Sequence, residues 1–103
     1  MSIQQGDPEK IAAVLRYLEQ NFSNHTMTTF PEPDHPCQQG YRIDWKGDGS
    51  MAHTFAVTLE FFHDTDIQNI GTEFHAYKLA EALPHAGRKK LVVTEQGMQR
   101  QCA

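Results

Sequence analysis

Two runs of strict alternation flank the glycine turn Gly47-Asp48-Gly49, and they constrain the fold more than any other feature of the chain. Before the turn, Tyr41, Ile43 and Trp45 alternate with Arg42, Asp44 and Lys46. After it, His53, Phe55, Val57, Leu59 and Phe61 alternate with Thr54, Ala56, Thr58 and Glu60. A period of two marks a strand with one buried face, and two such runs around glycines predict a β-hairpin. Both apolar sets carry odd numbers, so paired residues must sum to an even number. A three-residue loop over 47–49, with Gly49 in the left-handed region, meets that condition. It pairs Trp45 with Met51, Ile43 with His53 and Tyr41 with Phe55. The opposite face of the sheet then carries Arg42, Asp44, Thr54, Ala56, Thr58, Glu60 and Phe62.

The flanking segments supply helices and further strands. Asp7 suits an N-cap, Pro8 the first helical turn, and Glu9 the positive end of the helix dipole. Ile11, Val14, Leu15, Leu18 and Phe22 follow at helical spacing, so a helix is expected over 8–22. The Thr-rich run from His25 to Phe30 ends at Pro31 and reads as an edge strand, because proline cannot donate to a ladder. Residues 31–40 hold several prolines and a glycine and read as a stiff loop. A second helix is expected over 66–83, capped among Asp64, Thr65 and Asp66 and closed by Pro84 and Gly87. It bears two apolar stripes about half a circumference apart. One is Ile67, Ile70, Phe74 and Tyr77; the other is Ala76, Leu79, Ala80 and Leu83. Either the helix breaks near Gly71 or a second subunit covers one stripe. Leu91-Val92-Val93-Thr94 reads as a last strand, apolar on both faces. Residues 1–6 and 96–103 are polar and expected to fray.

These elements predict a single α+β domain over 1–103 in the order α-β-β-β-α-β. An antiparallel, hairpin-based sheet of about four strands would carry two helices on one face. The element order resembles in outline that of the small bacterial secretion chaperones, which are acidic and dimeric.

Composition narrows the function classes. Leu, Ile, Val and Phe make up about a fifth of the chain, the thin end of what a lone core tolerates. With two-sided apolar patterning in the second helix and last strand, this predicts a homodimer. Leu79, Leu83 and Val92 are the expected contacts, burying at least ~1,000 Å². The net charge of −4 argues against nucleic-acid binding, which draws on a basic face. Arg88-Lys89-Lys90 reads as a solvated run leading into a strand. No apolar run approaches the ~18 residues of a membrane span. The first residues carry neither a basic nor an apolar signal region, so a cytoplasmic protein is expected.

Six histidines invite a search for metal ligands, but the H-x-H, H-x-x-x-H and H-E-x-x-H spacings are absent. His63, Asp64 and Asp66 read as a helix cap, and His53 as a core or interface histidine satisfied by a hydrogen bond. Cys37 and Cys102 read as free thiols. His35-Pro36-Cys37 beside Asp34 is the one hint of nucleophilic chemistry, and sequence adjacency does not orient an imidazole on a thiolate. No cofactor, metal or catalytic set is therefore expected. The leading expectation is a non-catalytic interaction module with a partner face at Arg42, Thr54, Thr58, Glu60 and Phe62. The alternative is a small-ligand binder or small enzyme with a pocket between the second helix and the hairpin, lined by His53.

Overall fold

The computed structural model describes residues 8–33, 35, 37–85 and 89–102. The expected N-cap Asp7, the helix stop Gly87 and residues 1–6 lie outside them. The chain is α+β, and its sheet has five strands in the order β1-β2-β3-β4-β5. Helix α1 (Pro8–Asn21) leads into β1 (His25–Pro31), β2 (Gln38–Trp45) and β3 (Met51–Thr58), an antiparallel meander. Three short helices follow: α2 (Leu59–Asp64), α3 (Ile70–Ala76) and α4 (Leu79–His85), with a 3-10 turn at Ile67–Asn69. They carry the chain across to β4 (Lys89–Thr94), which runs parallel to β3. Parallel neighbours need a crossover of a dozen residues or more, and the helical stretch supplies it. Strand β5 (Gly97–Cys102) closes the sheet as an antiparallel hairpin on β4.

Four expectations need correction. First, the sheet is mixed and has five strands: residues 97–102 pair with β4 instead of fraying. Gly97, at φ 119°, makes the tight turn, and Thr94 Oγ1 donates to Gly97 O at 2.8 Å. Second, the strand after the glycine turn ends at Thr58. The Thr58 hydroxyl accepts from Phe61 N and starts α2. Phe61 and Phe62, adjacent in sequence, are then both buried, which a strand with one covered face does not allow.

Third, the second helix is broken, and the break lies at Tyr77–Lys78 instead of Gly71. Lys78 has φ 57°, in the left-handed region. Its N–H closes α3 on His75 O, and its carbonyl receives Ala82 N–H to open α4. The kink turns both apolar stripes toward one core, so Ile70, Phe74, Leu79 and Leu83 are all buried. Fourth, the hairpin register holds for Tyr41↔Phe55 and Ile43↔His53 but slips beyond a bulge at Ala52, where Asp44 meets Met51. Trp45 N–H then bonds Ser50 O, and the turn spans residues 46–49 with Gly49 at φ 74°.

The helices cover the face formed by the odd-numbered residues of β1, β2, β4 and, past the bulge, β3, with the even-numbered Met98 of β5 joining it. Val14, Leu18, Tyr41, Ile43, Phe55, Val57, Leu91 and Val93 form its core with Phe61, Phe62, Ile70, Phe74, Leu79 and Leu83. On the opposite face the Phe30 ring lies across Gly40, where a Cβ would stand 2.5 Å from a ring carbon. Only glycine allows that approach. Ala56 and Val92 are buried on this face. With neighbours on both sides, β4 is an interior strand, which accounts for its apolar residues on both faces.

Candidate functional site

One corner of the sheet gathers the residues whose chemistry the core does not use. Here α1 ends, β1 begins, β2 ends and β3 begins. Asn24, at φ 61°, turns the chain between α1 and β1, a conformation asparagine tolerates well. The first residue of β1, His25, pairs with the last of β2, Trp45. Their rings lie 4.1 Å apart between centroids, tilted by 38°. Phe22, one residue past α1, meets His25 edge-on at 5.8 Å and His53 at 5.5 Å. Four rings from four segments thus form one cluster.

The hydrogen bonds fix how these rings can act. His25 Nδ1 lies 2.6 Å from Ser23 O. A carbonyl only accepts, so Nδ1 carries the proton and donates. Nε2 of the neutral ring is then an acceptor, and it is buried without a hydrogen-bond partner among the described residues. Burial lowers the proton affinity of His53 below its ordinary value, and the neighbouring His25 lowers it further. The corner therefore favours a neutral imidazole at His53.

Its outer side is apolar and open. Trp45 is 48% exposed and Met51 is 53% exposed, on either side of the turn. Beyond the bulge at Ala52, Met51 pairs with Asp44 and so stands on the sheet face opposite Trp45. A shallow surface concavity runs from Trp45 along Gly47, Asp48 and Ser50. Asp48 Oδ1 accepts from the N–H and the hydroxyl of Ser50, which holds its carboxyl below the usual range and braces the turn. The alternation placed Trp45 on the apolar face but not at its edge. The same parity, extended to the first strand, would have set His25 opposite Trp45.

The expected partner face is only partly assembled. Arg42 Nε bonds Asp44 Oδ1 at 2.6 Å on the sheet surface, and Thr54 Oγ1 donates to Tyr41 O. Thr58 is spent on the α2 cap, Glu60 lies exposed in the first turn of α2, and Phe62 is in the core. The expected dimer contacts Leu79, Leu83 and Val92 are buried within the single chain. Between the hairpin and the helices, Tyr41, Phe55, Phe74 and Phe61 stack or meet edge-on at 5.1 to 6.4 Å and occupy the space of the expected pocket. An open concavity lies instead between α1 and α3, lined by Tyr17, Gln20, Asn21, Gly71, Thr72 and His75.

Cys37 is exposed, in a turn held by backbone bonds from His35 to Glu32, from Gln38 to His35 and from Leu59 to Cys37. The neighbours Asp34 and Pro36 lie outside the described residues, as does the side chain of Cys102. His63 contacts Asp64 at 3.2 Å, both exposed. Asp66 stands at the start of the 3-10 turn without a side-chain cap bond. Among the described residues, no group of three or more His, Cys, Asp or Glu could hold a metal, and no helix is long and apolar enough to cross a membrane. Compared with protein families, curated proteins and solved structures, the chain matches none.

Proposed function

We propose that the chain is a non-catalytic interaction module that acts as a homodimer in the cytoplasm. The observation that carries this reading is the exposed apolar surface at this corner: Trp45, opposite the first residue of the outer strand β1, and Met51, across the turn on β3. Tryptophan is enriched among the residues that dominate binding energy, and methionine suits adaptable contact surfaces. A domain this thin in core residues otherwise gains by covering such side chains. The dimer surface of this proposal is that corner and strand, since Leu79, Leu83 and Val92 already have partners within the chain.

Sedimentation equilibrium at micromolar concentration tests the reading. The expected species has twice the 11.7 kDa mass of one chain. A monomer across the whole range would overturn it.

A further inference from the structure

We propose that the outer edge of β1 is the dimer interface and that it pairs antiparallel with β1 of a second copy about Thr28; this rests on the homodimer reading above. The hydrogen-bond parity of the strand leads to it. Lys46 N–H donates to Asn24 O at 3.1 Å, and Glu32 N–H donates to Gln38 O at 3.2 Å. These bonds extend the β1–β2 ladder at even-numbered residues of that segment. Backbone groups in an antiparallel pair alternate in direction, so Thr26, Thr28 and Phe30 bond toward β2. The N–H and C=O groups of His25, Met27 and Thr29, with the Pro31 carbonyl, point outward. Pro31 falls on an outward position, where its missing N–H costs the sheet nothing.

Exposed edges are usually guarded by lysine, other charges or bulges. Residues 25–31 contain no Lys, Arg, Asp or Glu, and the β1–β2 register runs unbroken from His25 to Pro31. The opposite edge, β5, includes Arg100. An uncharged edge on a chain of net charge −4 is the place where two like-charged copies can meet at least electrostatic cost.

The second copy is favoured by self-complementarity. Thr28 is the midpoint of the strand, so a two-fold axis there engages all seven residues. It sets Met27 against Thr29 of the second copy, both outward-bonding, and His25 N–H against the Pro31 carbonyl. Thr28 then lies opposite its own counterpart at a position that does not hydrogen-bond across the axis, where side chains come closest. Thr28 is exposed, so the axis meets no buried side chain there.

A charge pair at Thr28 tests this. Thr28→Lys and Thr28→Glu each place like charges face to face and are expected to raise the dimer dissociation constant by ~10-fold or more. An equimolar mixture of the two variants should restore association, as a heterodimer, in sedimentation equilibrium. If the wild-type chain dimerises and neither variant weakens it, β1 is not the interface while the homodimer reading stands. If the wild-type chain is monomeric, both fall.

Discussion

Under α3, the rings of Phe55, Phe61 and Phe74 pack on one another, 5.5 to 6.4 Å between centroids, and all are buried. Under the end of α1, Phe22 meets two histidines instead, and one of them, His25, lies against a half-exposed tryptophan. Both clusters sit on the same face of the same sheet. The first gains its stability from excluded water and close contact, which no change of solution state short of unfolding alters. The second holds ionisable rings with a buried nitrogen, unpartnered among the described residues, at the rim of the core. Ring packing at the centre holds the fold, whereas ring packing at the corner stays partly exposed to solvent.

Truncation should separate the two regions most strongly. Phe74→Ala removes a ring packed against Tyr17, Phe55 and Phe61 and is expected to cost ~3–5 kcal/mol in denaturant unfolding. Trp45→Ala, at the exposed corner, should cost well under half of that. Equal costs would erase the distinction between centre and corner. The turn that carries the corner is more sensitive than its exposure suggests. Gly49 sits at φ 74° with open space where a Cβ would stand, so Gly49→Val adds conformational strain and no clash. A loss of ~1–3 kcal/mol is expected.

The smallest effect is the one that most sharpens the comparison. Folded His53 binds its proton less readily than the unfolded residue, whose ordinary pKa is 6.5, chiefly because it is buried. Just below pH 6.5 the unfolded chain therefore holds more protons, and stability rises with pH. The destabilisation should grow as pH falls from 6.5 toward the lowered folded value and then level off. His53→Gln should flatten the urea midpoint across this window. A pH slope unchanged by the substitution would remove His53 from the account.

Much of the fold was legible because strand parity is a strong signal. Tyr41, Ile43, Phe55 and Val57 alternate cleanly, and their pairing and burial follow from that alternation alone. The bulge at Ala52 was hidden because Met51 and Ala52 near the turn fit either face. Strand β5 was hidden because Gly97–Cys102 is a polar outer strand whose order comes from pairing with β4, not from an apolar pattern of its own. The break at Lys78 was misplaced because glycine is the usual signal for a positive φ, and Lys78 adopts one without it. Gly71 lies instead in the first turn of α3. The ring cluster was legible only in pieces: His53 and Trp45 shared a face, but joining them to His25 and Phe22 required the pairing of the first strand.

Amide hydrogen exchange along β1, followed as a function of protein concentration, tests the central claim most directly. The inward N–H groups of Thr26, Thr28 and Phe30 should be protected at every concentration by their bonds to β2. The outward N–H groups of Met27 and Thr29 should exchange quickly in dilute solution and slow as the dimer forms, giving protection that alternates residue by residue and depends on concentration. If Met27 and Thr29 exchange at the same fast rate throughout while the chain is dimeric, the edge of β1 is free and the account of the interface is wrong.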